Sequence, residues 1–239
     1  MKIIKYDLTS STNERAKEHA RALCEMPALF IARGQTEGRG RRGRSFNSEA
    51  GAGLYMTLLF KPSESDVTLI TIRAAVALAR AVERLSGLSP RIKWVNDLTV
   101  GKRKLAGILA EGDFAPDGSL LFCALGIGVN LLKRSFPDEL SEIVTTLEGE
   151  TGKRIDPEAL ALAVSEEFFN TYAPSEIISE YRRRSSVIGE RVEVRRISGE
   201  IFSAEAIDVT DAGALLVKRC DGSFEELISA EVSIKNNNT

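Results

Sequence analysis

The sequence is short of the features that mark secreted, zinc-binding and membrane proteins. Its 239 residues include only three cysteines, Cys24, Cys123 and Cys220, which lie far apart and form no CxxC pair. This pattern argues against a disulfide framework and a zinc site, and it fits a reducing cytoplasm. The N-terminus lacks the apolar core of a signal peptide, and two arginines interrupt the most apolar stretch, residues 67–82. We therefore expect a cytoplasmic protein that does not span a membrane.

The chain also lacks an excess of charge of either sign. It has 32 Lys and Arg against 34 Asp and Glu, which gives a formal net charge of -2 at pH 7. An even balance creates no global field that attracts nucleic acid or an anionic membrane, so any basic binding surface has to be local. With 43% hydrophobic and 28% charged residues, the composition is globular. The length allows one large domain, or one large and one small.

The hydrophobic pattern predicts that the first part of the chain mixes strands and helices. Strands are expected at 3–6, 28–32, 54–60, 92–95, 104–111 and 120–127, with Asp117-Gly118 as a hairpin turn between the last two. Helices are expected from Ser11 to about Cys24, over 66–85 and through 157–184. Ser11 and Glu14 have the spacing of a capping box at the start of the first helix. This mixture is typical of an α+β domain.

The pattern changes beyond Gly189. Short alternating strands are predicted at 192–194, 202–209, 214–217 and 224–227, and glycine-containing turns separate them. They predict a small β-barrel of roughly fifty residues, the size of a minor accessory domain. We therefore place the domains at 1–184 and 185–239 and expect each to have its own core.

The segment from Gly34 to Gly53 is rich in glycine and arginine and predicts a long mobile loop. Residues 38–43 match G-x-G-x-x-G literally, but a dinucleotide-binding fingerprint must open a helix and precede an acidic residue by about 20 positions. Residues 45–53 have no helical pattern, and Lys61-Pro62 stand at that distance. The arginines are suited to bind phosphate or carboxylate instead. A solvated basic turn or a weak RNA-binding tract is the alternative on this segment alone.

Two further segments place polar residues near strand ends. Residues 93–97 end one strand and Lys104 begins the next, where its ammonium could lie between a carboxylate and a phosphate and reduce their repulsion. An ordinary turn at Asn96-Asp97 and an ordinary edge-strand lysine explain the same residues. Residues 126–130 end in Asn130, whose amide could bind a base or ribose; a strand closing in a turn is the alternative.

Together and in this order, these segments resemble the biotin protein ligases. The resemblance rests on Ser11-Thr12-Asn13, Gln35 with residues 38–43, 93–97, 103–109 and 126–130, and it extends over essentially the whole chain. It implies a class II synthetase-like mixed sheet with packed helices, followed by an SH3-like domain. Two positions depart from the family pattern, since Val95 stands where Pro is common and Phe46 where Trp is common. The chain starts at the catalytic domain, so the resemblance implies a monofunctional ligase without a helix-turn-helix and without operator DNA binding.

The resemblance also implies an activity and its residues. Biotin reacts with ATP and Mg²⁺ to give biotinyl-5′-AMP, which biotinylates a specific lysine of a biotin carboxyl carrier protein or a carboxylase biotin domain. Biotin binding is assigned to Ser11, Thr12, Asn13, Gln35, Gly38, Arg39, Gly40, Arg41 and Lys104. Nucleotide binding is assigned to Arg39, Arg41, Phe46, Lys93, Asn96 and Asn130, and catalysis to Lys104, Arg41 and Asp97. The metal ligands stay open.

Two other functions compete with this one. A lipoate or octanoate ligase of related fold would share the activation of a carboxylate but would need an apolar channel in place of polar contacts to the ureido ring. A non-catalytic nucleic-acid binder would use the arginine segment and would bind with a steep salt dependence. The sequence identifies neither the acceptor carboxylase nor the oligomeric state, and a homodimer is compatible with it.

Overall fold

The computed structural model describes residues 1–133, 140 and 142–235, and these form two sheets with helices packed around them. The strands are β1 (Lys2–Thr9), β2 (Ala28–Gln35), β3 (Gly53–Phe60), β4 (Arg91–Lys93), β5 (Asp97–Val100), β6 (Arg103–Phe114), β7 (Leu120–Asn130), β8 (Arg191–Arg195), β9 (Ile201–Val209), β10 (Leu215–Arg219), β11 (Phe224–Leu227) and β12 (Glu231–Ile234). The helices are α1 (Thr12–Arg21), α2 (Ile70–Ser86), α3 (Leu147–Thr151), α4 (Pro157–Phe169) and α5 (Pro174–Arg184).

The first sheet has seven strands in the order β1-β2-β3-β7-β6-β5-β4. β1 and β2 are parallel, and the other neighbours are antiparallel, so the predicted mixed sheet is confirmed. Every residue of β3 is buried. Since successive side chains of a strand point to opposite faces, a strand that is buried throughout must be covered on both sides. In β3, Leu58 and Phe60 belong to one hydrophobic cluster and Leu59 to another.

Different helices cover the two faces of this sheet. α1 packs on one face, where its Ala16 and Ala20 meet Phe30, Leu59 and Phe122. On the other face, α2 packs against α4 and α5 and against the sheet. α2 ends at Gly87, which adopts the left-handed conformation expected at a helix C-terminus.

Two helix predictions are wrong in detail. α1 ends at Arg21 rather than near Cys24, and the Ser11 side chain makes no capping hydrogen bond. Glu14 binds other side chains instead, as described below. The single helix predicted over 157–184 is two helices, because residues 170–173 leave the helical conformation and Pro174 starts α5. Proline is favoured in the first turn of a helix, where no backbone donor is lost.

The strands around the predicted polar segments are also longer or more numerous than expected. The sequence analysis missed β5, so Asp97 starts a strand and is not part of an ordinary turn. β6 lies between β5 and β7, so Lys104 is not an edge-strand lysine. β7 continues through Asn130, so residues 126–130 form strand and no turn. The hairpin turn at Asp117-Gly118 is confirmed.

The second sheet contains five antiparallel strands in the order β11-β10-β9-β8-β12. It does not close into the predicted barrel within the described residues, because its two edge strands have only four residues each and pair with β10 and β8 rather than with one another.

The two sheets share one hydrophobic core. Val192, Ala206 and Val217 of the second sheet belong to the same cluster as Leu78 of α2 and Leu98 of β5. The expectation of separate cores is therefore wrong. None of the helices within the described ranges is both long and apolar enough to cross a membrane.

Candidate active site

The arginine segment is folded into a hairpin-like turn. Gly40 N–H donates to Arg44 O at 2.7 Å, and Phe46 N–H donates to Gly38 O at 2.8 Å. A short 3₁₀ turn at Arg41–Gly43 forms the tip. Residues 36–52 contain no strand and only this short 3₁₀ turn, so the predicted loop is confirmed, whereas its predicted mobility stays a prediction. Strand β3 and no helix follows the segment, as expected once a dinucleotide-binding fingerprint was rejected.

This turn covers a cavity whose floor is rich in glycine. A Cβ atom at Gly126 would lie 2.4 Å from Asn13 Oδ1, and one at Gly128 would lie 2.5 Å from the Phe46 ring. Glycine in a strand interior permits such a close approach. The cavity is lined by Ser11, Thr12, Asn13, Gln35, Arg39, Gly40, Arg41, Phe46, Met56, Asn96, Lys104, Gly107, Ile108, Leu109, Gly126, Ile127 and Gly128. We call it the first cavity.

A buried hydrogen-bond network fixes the polar wall of the first cavity. The Thr12 backbone N–H and hydroxyl donate to Gln35 Oε1 at 2.8 and 3.0 Å. Gln35 Nε2 in turn donates to Ser48 Oγ at 2.8 Å. The Thr57 hydroxyl lies 2.6 Å from Asn13 Oδ1. Because these groups are uncharged and their partners are fixed, they form a polar wall that exists before any ligand binds.

The sequence analysis missed Ser48 and Thr57. Both are buried, and both bind residues that it assigned to the site. The sequence could have indicated Thr57, because it is the one residue with a hydroxyl group in the apolar middle of β3, residues 56–59. A buried hydroxyl needs a hydrogen-bond partner, and Thr12 and Asn13 of α1, which covers this strand, provide it.

A second cavity adjoins the first and is mainly cationic. It is lined by Gly40, Arg41, Arg42, Arg44, Ser45, Phe46, Lys93, Trp94, Asn96, Asp97, Thr99, Lys102, Lys104, Ile143, Ala230, Glu231 and Val232. Lys104 Nζ donates to Asp97 Oδ1 at 2.7 Å. Arg41 Nη1 donates to Asn96 Oδ1 at 2.9 Å, and Asn96 Nδ2 donates to Ile108 O. Burial, followed by the nearby charge of Arg42, lowers the pKa of Arg41.

The two cavities share a wall. Gly40, Arg41, Phe46, Asn96 and Lys104 line both of them. A single ligand with an uncharged polar end and an anionic end would therefore pass Lys104 and Arg41 where the two ends join.

The second sheet contributes to the second cavity through β12. Arg44 Nη2 lies 2.7 Å from Glu231 Oε1, and Arg42 Nη1 donates to Arg195 O at 3.4 Å. The turn is thus tied to the second sheet. The sequence analysis missed Glu231 because β12 carries no motif and reaches the site only through its pairing with β8.

A buried tyrosine supports the 95–97 segment from below. The Tyr181 side chain of α5 is fully buried, and its hydroxyl donates to Val95 O at 3.2 Å. Burial raises its pKa well above the ordinary value, and the charge of Asp97 adds to the shift. Tyr181 therefore stays protonated and remains a donor to the backbone next to Asn96. The sequence analysis missed this residue as well.

Comparison with known proteins decides the family. The model of the biotin/lipoate A/B protein ligase family matches residues 6–130, and the model of the biotin protein ligase C-terminal domain matches residues 187–235. The chain belongs to the biotin protein ligase family.

Named relatives agree with this. The biotin--[acetyl-CoA-carboxylase] ligase of Paracoccus denitrificans is 34% identical over 88% of this chain and 91% of its own length. The bifunctional ligase/repressor BirA of Bacillus spizizenii is 31% identical over 97% of this chain and 74% of its own. The biotin protein ligase from Aquifex aeolicus in complex with biotin and ATP has the same fold, with a TM-score of 0.81, 24% identity and 99% of each chain covered. A lipoate ligase is not favoured, because the C-terminal model is specific to biotin protein ligases.

The geometry of this biotin protein ligase brings most of the predicted residues together. Ser11, Thr12, Asn13, Gln35, Arg39, Gly40, Arg41, Phe46, Asn96 and Lys104 line the first cavity, and Lys93 and Asp97 line only the second. Gly38 and Asn130 line neither of these two cavities. Gly38 has a structural reason to be glycine, since a Cβ there would lie 2.4 Å from Ser48 Oγ. No cluster of three His, Cys, Asp or Glu side chains suited to a metal ion occurs in the part of the chain that the structure describes.

Proposed function

We propose that this biotin protein ligase forms biotinyl-5′-AMP from biotin and Mg²⁺-ATP, and then transfers the biotinyl group to a lysine of a carrier domain. The observation that carries the proposal is that a cavity with an uncharged polar wall joins a cationic cavity at Lys104 and Arg41. Biotin has an uncharged ureido ring at one end and a carboxylate at the other, and ATP is a polyanion. Biotinyl-5′-AMP therefore has the polarity of the two cavities taken together.

The first cavity suits the ureido ring of biotin. Thr12, Asn13, Gln35 and Ser11 offer donors and acceptors, while Met56, Ile108, Leu109 and Ile127 provide apolar walls for the rest of the molecule. A binding site of this kind is mostly apolar with a few fixed polar groups that set orientation. The network from Thr12 to Ser48 keeps those groups in place.

The first half-reaction joins the contents of the two cavities. A biotin carboxylate oxygen attacks the α-phosphorus of ATP, a new P–O bond forms, and pyrophosphate leaves with the electrons of the broken bond. Lys104 stands where the two anions meet and offsets their repulsion, with Asp97 as its counter-charge in the absence of ligand. Mg²⁺ enters with the phosphates of ATP, as is usual for this ion.

In the second half-reaction the ε-amine of the acceptor lysine attacks the acyl carbon. An amide bond forms, the anhydride C–O bond breaks, AMP leaves, and the amine loses a proton. Water would attack the same carbon, so the adenylate has to be covered in the meantime. The turn that carries Arg39 and Arg41 covers the junction, and we assign it this role.

Incubation of the protein with biotin, Mg²⁺-ATP and an isolated biotin-carrier domain tests the proposal. Mass spectrometry should show one biotinyl group on one lysine of the carrier, and omission of ATP should abolish it. A parallel incubation with lipoate or octanoate should leave the carrier unmodified. Transfer of lipoate in place of biotin, or no transfer at all, would contradict the proposal.

Three further expectations accompany this function as proposals. They are the absence of operator DNA binding, a cytoplasmic location and the domain boundary after residue 184. The name of the Bacillus spizizenii relative includes repressor activity, and we do not extend that part to this chain.

A further inference from the structure

A chain of charged side chains links the arginine turn to the polar wall of the first cavity. Arg39 Nη1 donates to Glu14 Oε1 at 2.5 Å, and Lys17 Nζ lies 2.7 Å from the same oxygen. Lys17 Nζ also donates to Glu111 Oε1 at 3.3 Å. The other oxygen of Glu111 accepts from Asn13 Nδ2 at 2.8 Å. The two ends of this chain, Arg39 and Asn13, both line the first cavity.

Lys17 is the centre of this network. It is buried, and a buried ammonium is tolerated only when it is paired and hydrogen-bonded. Glu14 and Glu111 provide both partners, and each carboxylate uses its remaining capacity to bind a residue of the cavity. The hydrogen bond from Lys17 holds the pKa of Glu14 below its usual value, so Glu14 is ionised at neutral pH.

The predicted capping box fails at this point. The Glu14 side chain was expected to bind the backbone at the start of α1. It binds Arg39 of the arginine turn instead. Arg39 keeps further donors after Nη1 is engaged, because a guanidinium carries five N–H groups in a fixed plane. A carboxylate that binds one edge of that plane therefore sets the direction in which the other donors point.

We propose that Glu14 and Glu111 are positioning residues of the first cavity: Glu14 aims Arg39 at the carboxylate end of biotin, and Glu111 aims Asn13 at the ureido end. Lys17 holds both glutamates, so one network orders the two ends of this cavity. This inference rests on the proposed function. It assigns the effect of both glutamates to biotin, because Arg39 and Asn13 line the first cavity and not the second.

The test is biotin-dependent exchange of pyrophosphate into ATP, with the KM of each substrate measured separately. Glu14→Gln should raise the KM for biotin by about threefold to fivefold, the upper range for a partly exposed ion pair, and should leave the KM for ATP unchanged. Glu14 and Arg39 are 25% and 47% exposed, which is why a larger effect is not expected. Glu111→Gln should have the same selectivity and raise the KM for biotin.

A double-mutant cycle separates positioning from general damage. If Glu14 acts through Arg39, the double variant Glu14→Gln/Arg39→Gln should match Arg39→Gln alone. Glu14→Asp keeps the charge and should recover part of the biotin affinity. Glu18→Gln is the matched control. Glu18 lies one turn further along α1, and among the described residues its only ion-pair partner is the exposed Arg15. This variant should change neither KM.

Three results would overturn the inference. The first is that Glu14→Gln raises both KM values equally. The second is that the effects of Glu14→Gln and Arg39→Gln multiply in the double variant. The third is that Glu111→Gln leaves the KM for biotin unchanged. If Glu14→Gln lowers the melting temperature, the cycle is measured well below that temperature, where the comparison of the two KM values still decides. Absence of exchange in the unmodified protein would instead contradict the proposed function.

Discussion

The two cavities are built in different ways. The polar wall of the first comes from α1 and neighbouring strands of one sheet, and hydrogen bonds between uncharged groups such as Thr12 and Gln35 fix most of it, while Glu111 binds Asn13. The second lies between the arginine turn, the β4–β6 segment, Ile143 and β12 of the other sheet. Ion pairs such as Lys104–Asp97 and Arg44–Glu231 join those parts. A cavity whose polar wall is held by uncharged hydrogen bonds, next to one whose parts are joined by ion pairs, suits a reaction in which biotin must be held while the phosphates change.

Removal of the second sheet should have the largest effect. A fragment that ends after Ile188 would uncover Ile72 and Leu69, which lie beside Gly213, and would leave Trp94 Nε1 without Gly213 O. We expect this fragment to lose cooperative folding and both half-reactions, because large apolar surfaces would face water. Circular dichroism with thermal melting is the measurement. A soluble fragment with a sharp transition and full exchange activity would show that the first sheet is independent.

Lys104→Ala should come next. It removes the charge at the junction of the cavities, and we expect the first half-reaction to fall by at least about 100-fold, as for the loss of one electrostatic contact in a transition state. Pyrophosphate exchange measures it. Lys104→Ala/Asp97→Asn also removes the carboxylate that would be left unpaired, and should show the same loss. Lys5→Ala, an exposed lysine of β1, is the control. Near-normal exchange in Lys104→Ala would contradict the assignment of Lys104 to the first half-reaction.

Arg41→Gly should distinguish formation of the adenylate from its retention. The substitution removes the hydrogen bond to Asn96 and opens the wall that both cavities share. We expect exchange to continue at a reduced rate, while released biotinyl-5′-AMP labels lysines of a bystander protein. In the unmodified protein, trypsin should cut first near Arg41, and biotin with Mg²⁺-ATP should protect that site. Equal cutting with and without ligands, together with no bystander labelling, would mean that the turn is not a cover.

The contrast between the cavities also explains how much could be predicted from sequence. Thr12, Asn13, Gln35, Arg41 and Lys104 lie in short segments whose local pattern and order carry the family resemblance. For the mixed sheet, the strand and helix periods were sufficient, because long apolar repeats are local signals. The polar residues that line the first cavity were therefore among those named from sequence, and their roles in binding stay predictions.

The missing residues depend on contacts that no local pattern contains. Glu231 reaches the site through the pairing of β12 with β8, and Tyr181 reaches it from beneath Val95. β5 was overlooked because four residues between polar neighbours give too little periodicity. Glu14 was given the wrong partner, since S-x-x-E spacing predicts a local hydrogen bond but the structure provides stronger cationic partners nearby.

Glu231→Gln should have the smallest effect and sharpens the comparison most. Arg44 is 69% exposed and Glu231 31% exposed, so loss of their ion pair should change affinity by a factor of about two to five at most. We expect a higher KM for ATP and an unchanged KM for biotin, because Glu231 lines only the second cavity. High salt should reduce the difference between the variant and the unmodified protein, since screening weakens an exposed pair. Glu193→Gln on the neighbouring strand β8 is the matched control. A rise in the KM for biotin would mean that the two cavities are not built as independently as their hydrogen bonds and ion pairs indicate.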